Sequence, residues 1–128
     1  MKHLPNIAGG LLGLLFLMAG VTVLLKLGPT PPAPPEGSAA ALFMGAFVPT
    51  GYLTFVKVLE ILGGLLVAIP RTRNFGLLIL GPIIVNILAF HIFITKGEGL
   101  FAVPIILIVV LATYLMWVAR KQFAALGK

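Results

Sequence analysis

Apolar residues occupy most of the chain in four long runs, which short polar breaks separate. The runs cover residues 7–27, 51–69, 75–95 and 100–119. Each run approaches the roughly 20 apolar residues that cross the hydrocarbon core of a bilayer as a helix. None of them alternates apolar and polar residues in the way that a barrel strand does. The pattern therefore predicts an all-α fold, a bundle of four transmembrane helices that forms a single integral membrane domain over residues 1–128.

The polar breaks predict where the helices end and begin. Pro70 closes the second run, and Arg71–Asn74 forms a tight turn in which Asn74 is the expected N-cap of the third helix. Lys96–Gly99 separates the third and fourth runs, and Pro104 falls where the first turns of a helix accept proline. The first run is longer than the roughly 7–15 apolar residues of a signal peptide, so we expect it to be retained.

The one long connection, residues 28–50, joins the first and second runs. Its proline-dense part, Thr30–Pro35, predicts extended and solvated backbone. Ser38 is expected to cap a short apolar helix that reaches Phe47. That helix is too short to span a bilayer, so it is predicted to be interfacial or re-entrant. Two interpretations are open: a hydrophobic lid that seals the bundle, or a gate over a site.

Composition supports a membrane protein and excludes several other classes. The chain is 60% hydrophobic and 9% charged, whereas a soluble domain carries about 25% charged residues. The formal net charge is +6, but no basic stripe with interleaved aromatic residues indicates nucleic-acid binding. The absence of cysteine excludes disulfides, thiol redox chemistry and thiolate-held clusters within this chain.

The distribution of basic residues predicts the orientation in the membrane. Four spans place both termini and the turn after the second span on one side. That side collects most of the basic residues, namely Lys2, Arg71, Arg73, Arg120, Lys121 and Lys128. The positive-inside rule then assigns this side to the cytoplasm. We expect a multi-pass protein of the inner (plasma) membrane with both termini cytoplasmic.

Four polar residues interrupt the predicted spans, although a charge at bilayer depth costs a few kcal/mol. Lys57 and Glu60 lie in the second span, and Asn86 and His91 lie in the third. The predicted topology places them in the outer half of the bundle, where Lys26 ends the first span. We therefore expect these five residues to converge on one interior site beneath the short helix.

The chemistry open to such a cluster is limited. It can bind the polar head of an amphipathic molecule, such as a quinone or a membrane lipid, or relay a proton. A metal site is not expected, because Glu60 and His91 alone are too few ligands. His3 lies on the opposite side from His91, so one chain cannot hold a haem between two histidines. Without aspartate or cysteine, no catalytic residue can be assigned.

The same four residues can also be explained by the stability of the helix bundle alone, without a binding site. Lys57 and Glu60 are three positions apart on one helix, so they can neutralise each other. Asn86 and His91 can form hydrogen bonds between helices, each worth less than about 1–2 kcal/mol. Both interpretations remain open at this point.

The segment from Lys57 to Arg73, KVLEILGGLLVAIPRTR, is similar to the core signature of the DoxX family. In that signature an acidic residue and two glycines lead through a hydrophobic run to a short turn that contains Thr-Arg. Phe47–Pro49 before the second span and His91 late in the third span also resemble that family. The resemblance follows the order of the helices along the whole chain.

The resemblance implies a four-helix bundle in a bacterial inner membrane. Some relatives are subunits of thiosulfate:quinone oxidoreductase or terminal-oxidase systems, and others belong to oxidative-stress complexes. It makes Glu60 the signature acid, Gly63 and Gly64 the paired helix-packing glycines, and Arg73 the basic residue of the turn. The proline-rich segment Pro29–Pro35 departs from the pattern of the family.

Three functions follow from these observations. The leading hypothesis is an accessory subunit, associated with redox chemistry, that binds a quinone-like or other amphipathic molecule. The second is a structural or assembly subunit of a larger membrane complex. The third is a small homo-oligomeric transporter or channel. A stand-alone enzyme is less expected than an accessory subunit.

Overall fold

A computed structural model describes residues 2–127, and all regular secondary structure in this range is helical. The α-helices are α1 (Leu4–Leu24), α2 (Ala39–Phe47), α3 (Tyr52–Ala68), α4 (Arg73–Ala89), α5 (Val103–Val118) and α6 (Arg120–Ala125). A 3₁₀ turn, Pro70–Thr72, precedes α4, and a π-helical segment, Phe90–Ile94, continues it. The all-α prediction is confirmed.

Two helices are long and apolar enough to cross a membrane. They are α1, with 21 residues, and the continuous helical stretch Pro70–Ile94, with 25 residues. A third crossing is present if α2 and α3, which meet at an angle of 79°, are two parts of one span. α5 is apolar but has only 16 residues. Helix length and hydropathy thus support a membrane protein with two or three crossings, fewer than the sequence predicts.

The structure confirms some predicted helix ends and corrects others. Ser38 caps α2, and its Oγ accepts a hydrogen bond from the backbone N–H of Ala41 at 3.1 Å. Asn74 is not an N-cap, because α4 begins at Arg73 and Thr72 precedes it. The Thr72 hydroxyl donates instead to the carbonyl of Leu66 at 2.8 Å, which ties the turn back to α3. The chain also continues beyond the fourth run into α6, which the sequence analysis did not predict.

Glycines bring the backbones of α1, α3 and α4 into direct contact. A Cβ atom on Gly13 of α1 would lie 2.5 Å from the carbonyl oxygen of Gly64 on α3. A Cβ atom on Gly76 of α4 would lie 2.5 Å from the backbone nitrogen of Val67 on α3. Small residues of this kind allow close approach in membranes, where van der Waals packing contributes to helix association.

Larger side chains fill the space around these contacts. The most deeply buried of them come from α1, α3, α4 and α5, and they are Leu12, Phe16, Val67, Leu80 and Leu115. α1 packs mainly against α3, α3 also packs against α4, and α5 completes the bundle on the side of α1. α3 is therefore the central element, and residues on its buried face lie between two other helices.

A matched pair of glycines on α1 tests this packing. We expect Gly13→Ala to lower the free energy of unfolding by about 1–3 kcal/mol, because the added methyl group overpacks the contact with α3. Gly10→Ala is the control, because a Cβ atom there meets nothing within 4 Å. Reversible unfolding in mixed micelles, followed by circular dichroism, measures both. Equal stability of the two variants would contradict the close α1–α3 contact.

Candidate functional site

Lys57 and Glu60 form an ion pair on α3. The Lys57 Nζ atom lies 3.1 Å from Oε2 of Glu60 and 3.4 Å from Oε1. The two side chains are 17% and 4% exposed, respectively. Side chains of a helix lean towards its N-terminus, so Glu60 leans towards Lys57, one turn earlier. The contact that the structural interpretation allows is therefore present, and Glu60 is the more buried partner.

Glu60 belongs to the face of α3 that enters the bundle. Glu60, Gly63, Gly64 and Val67 are the buried residues of this helix. A Cβ atom on Gly63 would meet Leu80 of α4, and one on Gly64 would meet Gly13 of α1. Because Glu60 lies one turn before both glycines, its carboxylate lies between α1 and α4. Among the described residues, it is the only buried charged side chain.

The ion pair satisfies Glu60 from within its own helix. A buried carboxylate is costly unless it is paired and hydrogen-bonded, and Lys57 supplies both interactions. The pair therefore does not depend on a second helix. The 17% exposure of the Lys57 side chain leaves part of it accessible, so the pair has a buried acidic end and a basic end at the surface.

His91 lies in the π-helical segment Phe90–Ile94. Its Nδ1 atom is 2.8 Å from the carbonyl oxygen of Ile87, which indicates the tautomer with the proton on Nδ1 and leaves Nε2 as an acceptor. A Cβ atom on Gly99 would lie 3.5 Å from Nε2, so the loop after α4 runs close to the ring. Single π-helical turns within α-helices are frequent at functional sites.

A row of aromatic rings connects His91 to α2 and to the start of α3. Ring centroids are 5.0 Å apart between Tyr52 and Phe47 and between Phe47 and Phe43, and 5.1 Å apart between Phe43 and Phe90. Phe90 then contacts His91 edge-on at 5.5 Å. Contacts of this kind add about 0.5–1.5 kcal/mol each to simple burial. The row holds α2 against the segment that contains His91.

The structure does not bring Asn86 and Lys26 into the bundle interior. Both residues are exposed, and Lys26 lies in the turn after α1 with a φ of 53°. Ile83 and Ile84 are buried, and Asn86 follows Ile84 by about 200° around the helix. The face of α4 that meets α3 therefore turns Asn86 outwards. Of the five residues expected to converge, only Lys57 and Glu60 contact each other, and the hydrogen bond of the His91 ring is made to Ile87 of the preceding turn.

Arg73 forms a polar anchor whose partners the sequence analysis missed. Its Nε donates to the carbonyl of Val67 at 2.9 Å, and its Nη1 donates to Oδ1 of Asn6 at 3.1 Å. The guanidinium lies against Gly9, where a Cβ atom would come within 2.7 Å of Cζ. Arg73 thus joins α1, α3 and α4 at one end of the bundle. Asn6 and Gly9 carry no local sequence signal for this contact, because they lie far from Arg73 along the chain.

Two surface grooves lie away from the candidate residues. One is an open apolar groove of about 510 Å³ on α5, lined by Val109, Val110, Thr113, Tyr114 and Trp117. The other lies between α4 and α6. None of the five candidate residues lines either groove. Neither groove therefore connects with the Lys57–Glu60 pair.

The burial of Glu60 predicts an asymmetric response to substitution. Lys57→Met leaves the buried carboxylate without a partner, so we expect it to lower the free energy of unfolding by about 3–5 kcal/mol. The double variant Lys57→Met/Glu60→Leu removes both charges, and we expect it to recover most of that loss. Unfolding in mixed micelles near neutral pH measures the free energy of unfolding of the wild type and of both variants. If the double variant were as unstable as the single one, the cost would not come from an unpaired charge.

The comparisons with known proteins do not assign the chain to a family. No family model matches it, and neither a curated protein nor a solved structure matches it significantly.

Proposed function

We propose that this chain is a DoxX-like accessory subunit of the bacterial plasma membrane that binds a quinone-like or other amphipathic molecule at the Lys57–Glu60 pair. The observation that carries the proposal is the burial of Glu60. The whole residue is 3% exposed, and the other buried side chains around it are apolar. Ionisable residues inside membrane helices are costly and usually functional. The similarity of Lys57–Arg73 to the DoxX signature supports the same residue.

The proposed topology has four spans, α1, α3, α4 with its extensions, and α5, while α2 lies in the interface. The 16 residues of α5 cross if the bilayer thins locally, which costs only fractions of a kcal/mol per Å of mismatch. Both termini are proposed to be cytoplasmic. Exposed basic residues after α3 and α5 support this, as does Trp117, whose ring stacks with Arg120 at 4.1 Å like an interfacial anchor.

The pair offers complementary groups to a polar head. The Lys57 ammonium donates hydrogen bonds to a carbonyl oxygen of a quinone, and the Glu60 carboxylate accepts from a hydroxyl of the reduced form. The apolar surroundings of the pair suit the hydrocarbon tail of such a molecule. Since the chain has no cysteine, electrons for any reduction of the ligand would come from a partner protein.

A second candidate function is a structural or assembly subunit of a larger membrane complex. The observation that favours it is that Lys57 already neutralises Glu60 within α3 at 3.1 Å, so the pair needs no ligand. In that case the charged residues serve the fold alone. The subunit would co-purify with a larger protein and would tolerate Glu60→Gln.

Native mass spectrometry of protein gently extracted from its own membrane distinguishes the two candidates. We expect the wild type to retain a quinone or another small amphipathic molecule, and Glu60→Gln to lose it, because the neutral amide weakens both the ion pair and the bond to a donor. Glu98→Gln is the matched control. It makes the same chemical change at an exposed loop residue and should retain the molecule.

Two other outcomes of this experiment would contradict the proposed binding site or the proposed function. Retention by Glu60→Gln at the wild-type level would remove Glu60 from the binding site. A wild type without any retained small molecule, but with a larger protein partner in fixed ratio, would favour the assembly subunit.

A further inference from the structure

Asn86 is a polar residue on the outer surface of a membrane helix. It lies well inside the apolar stretch Pro70–Ile94, and its side chain is exposed. In the described part of the chain, its amide has no side-chain hydrogen bond, whereas the backbone carbonyl of Asn86 accepts from Phe90 within the helix. The outward orientation follows from the packing of Leu77 and Ile84, which are buried on the opposite side of α4.

An unpaired amide in contact with lipid is unfavourable. Transfer of an amide from water to a medium without hydrogen bonding is costly, and lipid tails supply neither a donor nor an acceptor. Interhelical hydrogen bonds from asparagine are one of the interactions that join membrane helices. The position of Asn86 therefore indicates a polar partner outside the described fold of this chain.

The residues around Asn86 form a stripe with the spacing of a two-helix seam. Phe75, Ile79, Pro82, Asn86, Ala89 and Phe93 follow one another at alternating steps of four and three. Packed pairs of helices use this spacing. Phe75 is 65% exposed and Phe93 is 75% exposed. Ile79 is half-buried and meets Gly63 of α3, so it lies at the edge of the packed face. Pro82 and Asn86 are exposed as well, so the exposed part of the stripe is available to a helix from another chain.

We propose that two copies of this chain associate through the Asn86 stripe, which runs along α4 into the π-helical segment, with the two Asn86 amides hydrogen-bonded across a two-fold axis. A primary amide is self-complementary, because its oxygen accepts while its NH₂ group donates. A two-fold interface places the same patch of both copies together. Copies inserted in one orientation have parallel α4 helices, so the two Asn86 residues lie at the same depth. Buried asparagines fix register in parallel coiled coils in this way.

A second copy of the chain is the simplest partner for the stripe. The rest of the stripe is apolar, so a partner needs only one polar group, at the depth of Asn86. Another copy of the chain supplies that group by symmetry. Ala89, which lies one turn after Asn86, is small enough for the helices to approach closely.

The absence of cysteine permits a direct test by single-cysteine cross-linking in liposomes at high lipid-to-protein ratio. Phe93→Cys places one thiol on the stripe and leaves Asn86 intact. Phe101→Cys is the matched control, because Phe101 is 80% exposed but lies outside the stripe, before α5. Under mild oxidation we expect Phe93→Cys to form a disulfide-linked species of twice the 13.5 kDa chain mass, and Phe101→Cys to form little.

Substitution of Asn86 in the Phe93→Cys background tests the role of the amide. We expect Asn86→Leu to weaken self-association roughly 3- to 30-fold, the range that corresponds to an interhelical hydrogen bond, and Asn86→Gln to retain most of it. Asn86 is exposed, so neither change should alter helical content, which circular dichroism verifies. Three outcomes would each overturn the proposal: equal cross-linking of the two cysteine variants, cross-linking unchanged by Asn86→Leu, or cross-linking only to a different protein in native membranes.

Discussion

Direct backbone contact between α1, α3 and α4 is the constraint on which the rest of the structure depends. Lipid tails are as apolar as leucine, so burial of apolar surface drives little association between helices in a membrane. Close packing must supply the stabilisation instead. Gly13, Gly64 and Gly76 provide it, since a Cβ atom on any of them would come within 3 Å of a neighbouring backbone atom. This contact fixes not only which helices meet but also which face each helix presents.

The orientation of those faces decides whether a polar residue of a span lies inside the bundle or on its surface. α3 packs through Gly63 and Gly64, and the same face carries Glu60 into the bundle. α4 packs through Gly76, Leu80 and Ile84, which directs Asn86 away from the bundle. Glu60 and Asn86 thus have opposite environments. Glu60 is buried and paired with Lys57 within α3, whereas Asn86 is exposed on the surface of the bundle.

The end of the bundle that carries α2 is organised by a different kind of contact. Aromatic rings from α2, α3 and the π-helical segment stack in sequence and end on His91. The connection between α2 and α3 is bent by 79°, and the rings support this bend without any hydrogen bond between the two helices among the described residues. These side-chain contacts join α2 to the segment that contains His91, whereas backbone contacts at glycines join α1, α3 and α4.

The sequence by itself determined the helical class, the membrane environment and the cap at Ser38, and it placed Lys57 and Glu60 within reach of each other. All of these depend on composition or on residues within one helical turn of each other. Only the tertiary structure decided that Asn86 and Lys26 lie outside the bundle, that Arg73 meets Asn6, and that the aromatic rings reach His91. The physical reason is that nearly uniformly apolar helices carry little information about rotation, because lipid and protein interior are equally apolar. Rotation is set by glycine contacts between residues far apart in the chain, which no local pattern reveals.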